Sequence, residues 1–131
     1  MTAEPTILAL HHVSILVADT ARARRFYEDV LGLKPLDRPD LGFTGAWLAL
    51  GKSQQLHLME LPTPDPRTGR PEHGGRDRHF ALCVADLTPF IQRLEQAGIP
   101  YTRSRSGRPS IFFRDPDGTA VELMGGDPPI L

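Results

Sequence analysis

The sequence has a single cysteine, no excess of basic charge and no long apolar run. Cys83 alone cannot form an intramolecular disulfide, so nothing indicates an oxidising compartment. The formal net charge of -1 excludes the basic surface that nucleic acids and anionic membranes require. The apolar stretch near the N-terminus follows no Lys or Arg, and His11 and His12 interrupt it. It therefore predicts a first strand rather than a signal peptide or a spanning helix, and we expect a cytoplasmic protein with no nucleic-acid or membrane partner.

Within 131 residues the chain repeats itself. The stretch "HHVSILVAD" (11–19) returns as "RHFALCVAD" (78–86), so that one ungapped offset places His12 on His79. A helical pattern of apolar residues follows each copy, and Gly32 and Gly98 are expected to end the two helices. Asp19 and Asp86, the last residues of the two stretches, are predicted to cap the helices at their N-termini.

Short extended segments follow each predicted helix. They read "KPLD", "GAWLAL" and "QQLHLMEL" in the first copy and "PYTRS", "SIFFR" and "TAVELMG" in the second, with "DPDG" as a turn. Each copy therefore predicts a strand, a helix and three strands. We expect one domain over 1–131, made of a first module (7–61), a linker (62–77) and a second module (78–125).

Alternation along the predicted strands places a polar side chain on the face that lacks bulky aliphatic residues. An offset two residues shorter than the one that relates His12 to His79 places His57 on Glu122. If the polar faces of the two modules meet, four groups converge on one centre: His12, His57, His79 and Glu122. Three imidazoles and a carboxylate are a suitable ligand set for one divalent ion, which we expect to be Zn, Ni, Fe, Co or Mn. The alternative is that each histidine is an ordinary core residue and that Glu122 is solvated.

Other polar residues compete for functional roles. His11 is an alternative first ligand, but alternation places it on the opposite face from His12. Arginine makes up 13 of the 15 basic residues, and several lie near the ends of the predicted ligand-bearing strands. Their guanidinium groups predict recognition of a substrate carboxylate or phosphonate, with ordinary solvated loops as the alternative. The residues expected to contact substrate are Arg67, Arg70, His73, Arg76, Arg103 and Arg108.

The segments "HHVSILVADTARARRFYEDVLGLKP", "RHFALCVADL" and "FFRDPDGTAVELM" resemble the vicinal oxygen chelate superfamily. Its members include glyoxalase I, fosfomycin-resistance thiol transferases, bleomycin-binding proteins and extradiol dioxygenases. The resemblance covers 7–125. It implies an α+β fold of two paired βαβββ modules, forming a cup-shaped mixed sheet with helices on its outer face.

The resemblance also implies a function. It matches His12, His79 and Glu122 to the metal ligands of the metal-dependent members, whereas at His57 glyoxalase I commonly has a glutamate. The expected activity is that of a metal-dependent lyase or isomerase of glyoxalase type, which chelates a small, anionic substrate through vicinal oxygens, with Glu122 as the catalytic base. The alternatives are a thiol transferase that uses a cosubstrate such as glutathione, a ring-cleaving dioxygenase and a non-catalytic binding protein. The resemblance further implies a homodimer whose sites take ligands from both chains.

Overall fold

The computed structural model of the protein describes residues 4–126. Its first half contains four strands and one helical segment. The strands are β1 (His12–Leu16), β2 (Lys34–Leu36), β3 (Gly45–Leu50) and β4 (Gln54–Met59); the helix α1 (Thr20–Arg24) continues as a π-helical segment, Arg25–Val30. The strands form one mixed sheet in the order β1-β4-β3-β2, in which β1 is parallel to β4.

The second half repeats this arrangement. A 3-10 turn (Gly74–Arg76) leads into β5 (His79–Cys83), which is followed by the helix α2 (Thr88–Gln96) and by β6 (Thr102–Arg103), β7 (Ser110–Arg114) and β8 (Ala120–Met124). The sheet order is β5-β8-β7-β6, with β5 parallel to β8. The α+β fold with two equivalent four-stranded mixed sheets is therefore confirmed.

The aliphatic faces of both sheets are buried, as alternation predicted. Leu56 and Leu58 on β4 are fully buried, and so are Val121 and Leu123 on β8 at no more than 1% exposure. They belong to one hydrophobic cluster that spans both modules. The opposite faces of the sheets are left to the polar side chains, of which His12 is exposed.

The helix ends agree with the sequence prediction except at one cap. Asp19 caps α1 and accepts a hydrogen bond from the backbone N–H of Arg22. Gly32 and Gly98 follow the helical segments with φ values of 76° and 70°, a conformation that favours glycine. The prediction of Asp86 as an N-cap was wrong, because α2 begins after Leu87 and Asp86 closes a turn with the N–H of Thr88.

The two modules are joined by polar contacts around the "DPDG" turn. The Tyr27 hydroxyl, fully buried in the π-helical segment, donates to Asp115 Oδ2 at 2.6 Å. Asp117 Oδ1 accepts from the backbone N–H of Ala18 and from Arg22, both at 3.0 Å. These contacts fix the start of the first module's helix on the second module's turn. Among residues 4–126, no helix combines the length and apolarity needed to cross a membrane.

Candidate functional site

On the polar face of the first sheet, three aromatic rings form a column across three strands. The His12 and His57 rings are stacked, with centroids 4.1 Å apart and planes 18° apart. The His57 ring is also stacked on Trp47, at 4.5 Å and 10°. The column follows from strand register, which places Trp47 opposite His57 in the antiparallel β3–β4 pair. The His57 imidazole is thus held on both of its faces.

A hydrogen bond at the edge of the His57 ring restrains it further. Its Nε2 lies 2.8 Å from Gln55 Oε1, a hydrogen bond in which the imidazole N–H donates. Burial lowers the pKa of His57 below its ordinary value, and the neighbouring His12, His11 and Arg38 lower it further when they carry charge. His57 is therefore a neutral imidazole at physiological pH, and Nδ1 is the nitrogen left to bind a metal.

His11, the competing first ligand, contacts its neighbour. The Nδ1 atoms of His11 and His12 lie 2.9 Å apart, so one of the two nitrogens donates to the other. The ring planes are nearly perpendicular at 88°. His11 therefore interacts with the predicted ligand instead of pointing away from it, which the alternation argument did not anticipate.

On the polar face of the second sheet, an imidazole and a carboxylate lie together. His79 Nε2 is 3.3 Å from Glu122 Oε1, and His79 Nδ1 is 2.9 Å from the backbone carbonyl of Asp77. Glu122 is only 4% exposed. Among residues 4–126, its Oε2 atom is buried without a hydrogen-bond partner. A buried carboxylate oxygen that has no hydrogen-bond partner favours a bound cation.

Two arginines hold the segment that precedes His79. Asp77 Oδ2 accepts from Arg70 at 2.9 Å and from Arg114 at 2.8 Å. Arg114, with a contribution from Arg70, lowers the pKa of Asp77 to about 2. Arg114 also donates to the carbonyls of Pro71 and Gly118. The carbonyl that contacts His79 thus belongs to a firmly anchored residue.

Within a single chain the predicted ligands form two pairs rather than one cluster. His12 contacts His57 in the first module, and His79 contacts Glu122 in the second. In the part of the chain that the structure describes, no three His, Cys, Asp or Glu side chains are arranged to hold a metal ion. The expected convergence of all four groups does not occur within one chain.

A cleft of about 860 Å³ lies between the modules. It is bordered by the Val13–Leu16 part of β1, by His79 and Phe80 of β5, and by linker residues that include Arg67. β1 and β5 are each the edge strand of their sheet. The cleft therefore reaches one of the four predicted ligands, His79.

Most of the predicted substrate contacts have structural partners. His73 accepts from the N–H of Gly75 through Nδ1 and donates through Nε2 to the carbonyl of Arg103, so both ring nitrogens anchor the linker. Arg70 is paired with Asp77, and Arg108 Nε donates to Ser106 in an exposed loop. Arg76 ends the 3-10 turn. Arg67 borders the cleft, which leaves it as the predicted arginine best placed for an anionic group.

Two aromatic neighbours of the predicted ligands were not predicted from the sequence. Trp47 lies opposite His57, and Phe112 lies opposite Glu122 in the corresponding strand pair. Phe112 contacts the ring of His79 edge-on at 5.2 Å. The same offset that relates His57 to Glu122 also relates Trp47 to Phe112, so applying the repeat to the inner strands would have found both.

Comparison with known proteins identifies the family. The sequence model of the Glyoxalase/Bleomycin resistance protein/Dioxygenase superfamily matches residues 9–123. The chain belongs to this superfamily. The first and the last of the three segments that carry the resemblance contact each other, since the Tyr27 hydroxyl donates a hydrogen bond to Asp115.

Several relatives within the superfamily have named activities. The chain is 32% identical to "Glyoxylase I 4" of Arabidopsis thaliana, over 92% of this chain and 72% of the relative. It is 34% identical to the glutathione transferase FosA of Serratia marcescens, over 90% of this chain and 81% of the relative. Lactoylglutathione lyases of bacteria and plants are also among the relatives.

A solved structure extends the comparison of the fold. The fosfomycin resistance protein FosX of Listeria monocytogenes, solved as a point mutant in complex with Mn(II) and dihydroxypropylphosphonic acid, superposes with a TM-score of 0.72 at 18% identity. The match covers 93% of this chain and 95% of that one. At this identity the likeness shows a shared fold.

Proposed function

We propose that the protein is a cytoplasmic, metal-dependent enzyme of glyoxalase type, a lyase or isomerase that binds a small anionic substrate through vicinal oxygens. The observation that carries the proposal is Glu122, a nearly buried carboxylate beside His79 with one oxygen that has no partner among residues 4–126. Relatives named as lactoylglutathione lyases support the reaction class.

The donor set fits a divalent first-row metal. His12, His79 and Glu122 would hold the ion, and His57 would complete the set through Nδ1. Zn, Ni, Fe, Co or Mn suit such ligands, and one relative of the same fold was solved with Mn(II). When bound, the ion would act as a Lewis acid on the substrate oxygens.

Glu122 is the group in this chain that is suited to move a proton. Its carboxylate would accept the proton from the carbon next to the substrate carbonyl, and it is held beside His79 Nε2. Phe112 packs edge-on against the ring of His79. His12 and His57, which are stacked and lie in the other module, would contribute their imidazole nitrogens to the same ion.

A second copy of the chain would complete the site. One chain holds the ligands as two separate pairs, and β1 and β5 each have one side without a neighbouring strand among residues 4–126. The segment before β1 adds apolar surface, since Ile7 and Leu8 are 95% and 92% exposed. These features support a homodimer in which the first module of one chain faces the second module of its partner.

Transfer of a thiol such as glutathione to an epoxide is the second candidate. It is favoured by the similarity to FosA, and it needs only His12, His79 and Glu122 as ligands, without His57. The resemblance associates that three-ligand set with the fosfomycin enzymes, and FosA is 34% identical to this chain.

Parallel assays of the metal-loaded protein test the two candidates. The hemithioacetal of methylglyoxal and glutathione should be isomerised, with loss of turnover in Glu122→Gln. Consumption of fosfomycin together with glutathione, but not of the hemithioacetal, would instead establish the second candidate. A protein that binds no stoichiometric metal and turns over neither substrate would contradict both and indicate a binding protein.

A further inference from the structure

We infer that His11 is a positioning residue, which fixes the tautomer and orientation of His12 for metal binding. The inference rests on the proposed function, since it concerns how one of the proposed ligands is held. It assigns a role to a residue that the repeat does not pair with a ligand, because His11 aligns with Arg78.

The inference is based on the contact of 2.9 Å between the Nδ1 atoms of His11 and His12. A hydrogen bond between two imidazole nitrogens requires one N–H and one lone pair. If His11 donated, His12 Nδ1 would be the acceptor and its Nε2 would carry the proton, which leaves no lone pair for a metal. If His12 donates, its Nε2 lone pair is free. Metal binding by His12 therefore requires that His11 accept.

The second module shows the same arrangement with a different acceptor. His79 Nδ1 lies 2.9 Å from the carbonyl oxygen of Asp77, and a carbonyl can only accept. In the neutral imidazole the proton of His79 is thus on Nδ1, and the lone pair of Nε2 faces Glu122, where a metal ion would lie between the two groups. His11 does for His12 what the Asp77 carbonyl does for His79.

Such partners affect metal affinity without contacting the metal. A ligating histidine usually donates its second N–H to an acceptor, which sets the tautomer, restrains the ring and raises the basicity of the ligand nitrogen. Loss of the partner typically weakens metal affinity about 10- to 100-fold. His12 is exposed at its end of β1, and its stacking on His57 restrains the plane of the ring but not the tautomer.

Titration calorimetry of the full-length, metal-free protein with Ni²⁺ and with Zn²⁺ tests the inference. His11→Ala should raise the Kd about 10- to 100-fold. His11→Asn provides the matched control, because its side-chain amide oxygen can take the place of Nδ1 as an acceptor, and it should keep affinity within about threefold of wild type. His12→Ala should lose the site. The melting temperature of the metal-free protein should be the same in all four forms, which separates positioning from folding.

The outcomes distinguish this inference from the proposed function. If His11→Ala binds as tightly as wild type, the positioning role is overturned and the metal site stands. If His11→Asn is as weak as His11→Ala, the acceptor role is overturned. If His12→Ala keeps the site and His11→Ala loses it, the two histidines have exchanged roles and the inference is wrong. If the wild-type protein binds neither ion, the proposed function fails and this inference fails with it.

Discussion

The two modules have the same backbone register but carry different chemistry. Ser14 pairs with His57 between β1 and β4, and Ala81 pairs with Glu122 between β5 and β8. Each pair stands at the same point of its sheet. The position of these two proposed ligands is therefore set by the repeated fold, whereas the side chain there is an imidazole in one module and a carboxylate in the other.

The polar faces of the two modules therefore differ in their chemistry. The first module stacks His57 between two rings, and burial keeps that imidazole neutral. The second module buries a carboxylate against His79. Duplication of one module thus gives two sheets with the same strand register. Differences at single positions give the first sheet a stacked imidazole and the second a buried carboxylate.

The largest expected effect comes from removing the histidine of the acidic half. His79→Ala should abolish stoichiometric metal binding, because it removes a proposed ligand and the only charged or imidazole neighbour of Glu122 described in residues 4–126. His57→Ala should weaken binding only about tenfold, since His12, His79 and Glu122 remain as proposed ligands. Metal content after dialysis and calorimetric Kd values measure both effects.

Equal losses in the two variants would contradict this ranking. They would show that His57 is as strong a ligand as His79. A full metal complement in His79→Ala would be a stronger contradiction, since it would remove the second module from the ligand set altogether.

The second prediction concerns a pair of equivalent positions at the start of β3 and β7. Gly45 pairs with Met59, and Ser110 pairs with Met124. A Cβ atom at Gly45 would lie 2.3 Å from the carbonyl oxygen of Leu58, a contact that forces the backbone to shift. Gly45→Ala should therefore lower the free energy of unfolding by about 3 kcal/mol, at the upper end of overpacking costs.

Ser110→Ala is the matched control in the other module. Ser110 already carries a Cβ, and its hydroxyl is buried without a partner among the described residues. The variant should be neutral or slightly stabilising in urea denaturation. A Gly45→Ala variant as stable as wild type would show that β3 and β4 can separate at this point without cost.

The fold could be predicted from the sequence largely because the repeat adds to the local patterns. Alternation identified which faces of β1 and β4 are buried, and Gly32 and Gly98 ended the helices where expected. The prediction of Asp86 as a helix cap was wrong because one additional residue, Leu87, precedes α2. The π-helical form of Arg25–Val30 was also not predicted, since apolar spacing does not distinguish it from an α-helix.

The candidate site could be predicted only in part. The positions of His79 and Glu122 follow from strand alternation and register, and the structure places them side by side. Contacts between side chains, such as that of His11 with His12, depend on rotamers that no pattern encodes. The relation between the two ligand pairs depends on how modules and chains pack, and a sequence repeat carries no information on that.

The third prediction concerns the helical segments that cover the two sheets. Tyr27 donates a buried hydrogen bond to Asp115, whereas Tyr101, in the second module, donates an exposed one to Glu95 at 3.1 Å. Tyr27→Phe should lower the free energy of unfolding by about 1–3 kcal/mol, because Asp115 is left buried with one bond fewer. Tyr101→Phe should change it by less than about 0.5 kcal/mol. Urea denaturation at neutral pH measures both.

The pH dependence of stability distinguishes the two tyrosines further. Burial, together with the negative charge of Asp115, raises the pKa of Tyr27 well above 10.0. The folded state therefore keeps the phenol protonated where the unfolded chain ionises it. This contribution to stability is fully present below pH 10 and is lost as the pH rises above that value. Tyr27→Phe should flatten the alkaline decline, and an unchanged decline would show that other groups cause it.

The smallest expected effect concerns the segments that lead into the two edge strands. Before β5, the 3-10 turn contains the buried Gly74. Before β1, Ile7 and Leu8 have nearly no contacts, and the proposed partner chain would cover them. Replacing both with Lys should weaken dimerisation at least about tenfold, which corresponds to about 1.4 kcal/mol. Sedimentation velocity over a dilution series measures the change, with Leu41→Lys, an exposed leucine between β2 and β3, as the control. An unchanged dimer in the double variant would place the interface away from this segment. The segments before β1 and β5 would then not differ in their role in dimerisation.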